Sequence, residues 1–248
     1  MTADKEYLED ELFLTKINMG CSAIFALIAI IVLIKICRGS RHTFIIKLIA
    51  LELIGLLLIV LREASYIIAA EESNGFKENL DLVEGLTIAH AIFSPLSCLS
   101  FLTVRWLFSL KYIIVSKEMP GLFRGEVANY EQTGRYKFWK LCMMIVFSLV
   151  TLWNMVFTYR WLMEIQEGNP KDHSTLAFNF MASYLSENLI LPLIPLILFG
   201  TALHRVKKFA NENKDETLVM NQSMFKIHIA IVTIMGLSSV IIACTFVF

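Results

Sequence analysis

The sequence predicts an all-α fold, a polytopic transmembrane helical bundle with six spans. Three observations predict it: six long apolar stretches, a basic bias that alternates from one connection to the next, and a low share of charged residues. Of 248 residues, 56% are hydrophobic and 18% charged, with mean hydropathy +0.63. That is more apolar side chain than one water-soluble core requires. Lipid must therefore be part of the solvent, and the lipid bilayer is the first expected partner. Lys and Arg together number 22, as do Asp and Glu. The balance removes any bulk electrostatic attraction to nucleic acid, which is not an expected partner.

The chain opens on an acidic N-terminal tail, residues 1–16, with Asp4, Glu6, Glu9, Asp10 and Glu11 against Lys5 near its start. A cleavable presequence has the opposite charge, so the tail is read as retained. Tyr7, Leu8, Leu12 and Phe13 supply the apolar positions of a short surface helix. The transmembrane domain follows over 17–248. A helix needs about 20 mostly apolar residues to cross a hydrocarbon core of ~30 Å. Six stretches meet that length: about 17–36, 44–69, 86–110, 141–163, 176–203 and 227–248.

Charge assigns the sides. The connections after spans one, three and five, with their flanks, hold 15 of the 22 basic residues, whereas the tail and the other connections hold five basic residues and 13 of the 22 acids. Lys and Arg stay on the cytoplasmic side of short loops. Loops 36–43, 111–140 and 204–226 are thus expected in the cytoplasm, with the N-terminus outside and the C-terminus at the outer face, where span six ends within its own apolar run at Phe248. The protein is expected in a membrane, the plasma membrane slightly favoured.

Several residues are too polar for the depth at which they lie. Span two carries Glu52, Arg62 and Glu63. Its aliphatic side chains favour insertion by about 0.5 kcal/mol each, and one central charge opposes it by ~3 kcal/mol. Three such charges are enough to cancel the whole of that drive, so they are expected to find partners inside the bundle. At 1.5 Å per residue, Glu52 on span two and Arg105 on span three both lie ~8–9 Å from the basic end, and form an expected structural ion pair. Arg62, Glu63, Asn154, Glu187 and Asn188 fall at ~21–27 Å and form an expected polar layer in the outer half. His90 belongs with them as a hydrogen-bonded histidine. Helix–helix pairing is the preferred reading of this layer; a ligand contact, proton-linked site or substrate route is the alternative. Pro192 and Pro195 follow Glu187 closely, and the missing backbone donors predict a kink or opening near 187–191. Gly55 and the helically spaced Ser94, Ser97 and Ser100 are expected where helices approach closely.

Catalytic motifs are missing. The chain has no HExxH, GxSxG, phosphate-binding loop or dinucleotide glycine fingerprint. Its five histidines are scattered, and its five cysteines lie in or beside apolar runs. No metal site and no cofactor are expected. The topology is analogous to the first six helices of a serpentine receptor, but the chain lacks that architecture's cysteine at the outer end of span three and has only Arg105-Trp106 near the inner end. Three functions suit this pattern. The preferred one is a non-enzymatic, receptor-like or ligand-sensing bundle with a small-molecule ligand bound near Arg62, Glu63, His90, Asn154, Glu187 and Asn188. An accessory subunit, pairing with other membrane subunits or with itself, is the second, and a transporter or channel subunit the third.

The orientation carries its own test. The sole glycosylation sequon, Asn221-Gln222-Ser223, lies in a loop assigned to the cytoplasm, so glycan mapping of the native protein is expected to find Asn221 bare. A sugar there would reverse every side assigned above.

Overall fold

Backbone N–H and C=O groups have no water to bond in hydrocarbon, so a spanning segment must satisfy them within itself, as a helix does. The structure, a computed structural model, describes residues 2–39, 43–73, 80–123, 133–167 and 173–212. These form α1 (Thr2–Gly39), α2 (Thr43–Ser73), α3 (Leu80–Phe123), α4 (Gly134–Glu167), α5 (His173–Leu185), a five-residue π-helical segment (Ser186–Ile190) and α6 (Leu191–Glu212). No strand occurs among the described residues.

Five continuous stretches are long and apolar enough to cross a membrane: Leu12–Arg38, Phe44–Ala70, Leu82–Glu118, Tyr136–Glu164 and Thr175–Phe209. They coincide with the first five expected spans. The sixth, 227–248, lies outside the described residues. Two helices are longer than hydropathy alone predicts. The acidic tail continues into span one as a single helix from Thr2, and α3 runs on past Lys111 to Phe123. Hydropathy marks where a helix leaves lipid; the hydrogen-bonded ladder continues until caps or breakers end it.

The chain divides into two compact units. The first comprises residues 1–101 and 150–183. Here α1 packs along α2, and α3 meets α2 through Ser100, whose hydroxyl donates to the Leu51 carbonyl at 2.9 Å. Gly55 permits a second close approach, because a Cβ there would stand 2.9 Å from two ring carbons of Phe101. Serine and glycine thus act as the small residues that let two backbones come near.

The second unit comprises 102–149 and 184–248. Among its described residues, Phe147, Phe199, Leu102 and Trp106 are at most 2% exposed and make an aromatic-rich core. Phe108 stacks on Phe199 with centroids 5.7 Å apart, Tyr112 meets Phe199 edge-on at 4.6 Å, and Trp106 meets Phe147 edge-on at 5.9 Å. The Ser109 hydroxyl donates to the Pro195 carbonyl at 2.8 Å, tying α3 to α6.

Large apolar side chains remain uncovered on several helices, including Ile24, Phe25, Leu27 and Ile31 on α1 and Leu149 and Leu152 on α4. In water such a surface is a liability. Against acyl chains it is ordinary, and these faces identify a multi-pass integral membrane protein in contact with lipid.

The glycine contact sets an expected outcome. Gly55→Ala should destabilise the protein by about 1–3 kcal/mol through overpacking, outweighing the ~1 kcal/mol that alanine gains over glycine within a helix. Thermal unfolding in detergent reads the loss, and adding Phe101→Leu should recover most of it. A more stable Gly55→Ala variant would contradict this packing.

Candidate functional site

Within the first unit the sequence places Arg62, Glu63 and Tyr66 on little more than one turn of α2. Adjacent helical residues normally point apart. The long Arg62 side chain bends back, however, and its Nε donates to Glu63 Oε1 at 3.1 Å while Nη2 reaches the same oxygen. From α1, Asn18 Nδ2 donates to that oxygen at 2.6 Å. The Glu63 side chain is 7% exposed and that of Arg62 24%. Three donors on one carboxylate oxygen compensate an ion that would otherwise be prohibitive at this depth.

His90 joins this group from α3. Its ring lies 5.9 Å from that of Tyr66 at an interplanar angle of 50°. The charges of Arg62 and Glu63 and the Arg62 backbone all lie close enough to act on it. Yet His90 Nδ1 is screened from solvent and has no hydrogen-bond partner among the described residues. The hydrogen bond expected of this histidine is therefore not made at Nδ1. A buried nitrogen left without a partner costs about 1–3 kcal/mol.

A second polar network in the same unit surrounds Asn154, which is 2% exposed. Its Oδ1 accepts from Thr158 Oγ1 at 3.1 Å and lies 3.3 Å from Ser183 Oγ, whose closer acceptor is the Phe180 carbonyl at 2.8 Å. Trp161 and Phe180 stack nearly parallel with centroids 5.6 Å apart. One turn beyond Trp161, Glu164 Oε2 is buried without a partner among the described residues. The network is built mainly of short side chains bonded within a turn or to one neighbouring helix, as expected of packing contacts.

Glu187 and Asn188 belong to the second unit, in the π-helical segment. The Leu191 N–H bonds the Ser186 carbonyl, five residues back. Pro192 and Pro195 supply no N–H, so the α-helical ladder is already broken on this side and the wider turn costs less there. The opening predicted near 187–191 is thus a π turn. Glu187 is 1% exposed and Asn188 9%. Both have interaction partners, one being the Tyr184 carbonyl, 3.1 Å from Asn188 Nδ2.

Of the expected layer, Arg62, Glu63 and His90 come together with Asn18 and Tyr66 in the first unit, which also holds Asn154, while Glu187 and Asn188 belong to the second unit. Glu52 and Arg105 are half-buried, each with an interaction partner, in the first and second units respectively. Among the described residues no three His, Cys, Asp or Glu side chains gather as they would around a metal ion. Sequence reasoning missed Asn18 and Tyr66. The spacing of Tyr66 four residues after Arg62 was an available signal for a shared face; Asn18, one amide in an apolar span, gave none.

The chain matches no family model, no curated protein and no solved structure.

Removing one member of the charged pair should expose its worth. Glu63→Leu is expected to cost about 3–5 kcal/mol, because the half-buried Arg62 is left within the spanning region without a counter-charge, whereas Arg62→Leu/Glu63→Leu should regain most of that loss. Thermal or denaturant unfolding in detergent compares the two. Equal losses in the single and double variants would mean that the pair is not coupled.

Proposed function

We propose that this multi-pass membrane protein is a non-enzymatic, receptor-like or ligand-sensing helical bundle, with Arg62, Glu63 and His90 at its ligand contact. One observation carries the reading: a polar cluster inside the spanning region is incompletely satisfied, its His90 Nδ1 buried with no partner among the described residues. Polar groups that only hold helices together gain by satisfying every donor and acceptor, since hydrocarbon offers no substitute. A ligand site is one reason to leave one open. The basic bias of the loops supports an orientation in which the cluster lies toward the non-cytoplasmic side, near the ends of α2 and α3 that an external ligand would reach. In this reading Asn154 shapes the helices of the same unit.

A second reading, an accessory subunit of a larger membrane complex, is favoured by the broad exposure of apolar side chains on α1 and α4. Mild solubilisation followed by mass spectrometry of the intact assembly separates the two. The ligand-sensing reading expects one chain, or a homo-oligomer, with a bound small molecule. A fixed set of other membrane proteins at stoichiometric ratio would replace it with the accessory role.

A further inference from the structure

The bonding pattern of the Arg62 cluster narrows the chemistry of whatever occupies it. All three hydrogen bonds to Glu63 fall on Oε1, so among the described residues Oε2 retains its capacity to accept. Arg62 uses Nε and Nη2 on Glu63, and among the described residues Nη1 retains its donors. His90 Nδ1 is the third open position. The site thus offers an acceptor, a donor and an imidazole nitrogen of either kind.

Charge decides what can use them. Arg62 and Glu63 cancel, so a ligand with a net charge would bring an uncompensated ion into a low-dielectric region. A neutral ligand avoids that cost. Its polar group must both donate and accept, as a hydroxyl does with one donor and two lone pairs. Its remainder should be apolar, because the helix that supplies Asn18 exposes Ile24, Phe25 and Leu27 beyond it on the surface turned to acyl chains.

Resting on the ligand-sensing reading above, we infer that the cluster of Asn18, Arg62, Glu63, Tyr66 and His90 binds the hydroxyl head of a neutral, single-headed lipid that enters from the bilayer. The hydroxyl donates to Glu63 Oε2 and accepts from the His90 Nδ1–H. The apolar tail lies along the exposed side chains of α1. A hydrocarbon of equal length makes the second contact without the first.

Photo-crosslinking of the full chain in phosphatidylcholine nanodiscs tests this, with octadecanol bearing a diazirine on its chain. Peptide mapping is expected to place label near Asn18 and Phe25. Excess unlabelled octadecanol should compete at least tenfold better than octadecane, stearate or octadecylamine, the ratio expected when a hydrogen bond to a charged group is lost or an unpaired charge is brought in. His90→Phe should abolish that preference. His90→Asn, which keeps a polar atom near the Nδ1 position, should retain it, and this also separates lost recognition from lost folding. Equal competition by octadecane, or a preference unchanged in His90→Phe, would overturn the hydroxyl assignment. A preference for stearate or octadecylamine would overturn it too, while leaving a ligand site at the cluster. Label spread evenly over all lipid-facing helices and unaffected by any competitor would overturn the ligand-sensing reading itself.

Discussion

A charge that enters hydrocarbon must bring its compensation with it, and the first unit of this protein is organised around that requirement. Arg62 and Glu63 neutralise one another within α2, so the helix carries a dipole rather than two ions. The residual demand of the carboxylate is met from outside the helix by the Asn18 amide, which holds α1 beside α2 at this level. An unpaired carboxylate at the same depth would oppose insertion by about as much as several leucines favour it. With either charge present, its partner is therefore a condition for α2 to span the membrane, and the Asn18 bond adds one contact to the packing of α1 along α2.

Elsewhere the chain uses smaller devices to the same end. Lipid is as apolar as leucine, so burying leucine between helices gains little, and helices associate through close backbone approach and short polar bonds. Gly55 against Phe101 and Ser100 on the Leu51 carbonyl do this in the first unit. Ser109 on the Pro195 carbonyl, with the ring cluster of Phe108, Tyr112 and Phe199, does it in the second. Pro95 lies buried within α3, and Pro192 and Pro195 follow the π turn that carries Glu187. In water a helix broken in this way would be repaired by solvent. Here neighbouring side chains and a wider turn must serve.

Like Trp106 Nε1 and Glu164 Oε2, His90 Nδ1 is buried without a partner among the described residues, and it differs from them in standing beside an ion pair. In the Asn154 network the Ser183 hydroxyl finds the Phe180 carbonyl and the Thr158 hydroxyl the Asn154 amide oxygen, each about a turn away. The Arg62 cluster satisfies one oxygen of Glu63 three times over and leaves a histidine nitrogen without a partner among the described residues. Redistribution of those donors over both oxygens would satisfy the carboxylate more evenly. The observed arrangement instead places all three donors on Oε1.

Hydropathy and charge are sums over neighbouring residues, and what depends on such sums was legible in the sequence. The helical class and the first five spans follow from runs such as those in α1 and α2. The opening at 187–191 follows from Pro192 and Pro195, because a missing N–H acts within one turn. Depth alone predicted that Arg62 and Glu63 would need partners inside the bundle. It could not select Asn18 as the third member, set the Tyr66 ring against His90, or assign Glu187 and Asn188 to a different unit, since depth matching says nothing of which helices adjoin. Those choices rest on helix rotation and neighbour order, which arise from contacts between residues far apart in sequence, as between Asn18 and Glu63 or Tyr66 and His90. The sequence by itself determined that this chain lives in lipid and where its charges are costly; only the tertiary structure decided which donors meet those charges, because a hydrogen bond is set by distances of a few ångströms between side chains that no local pattern brings together.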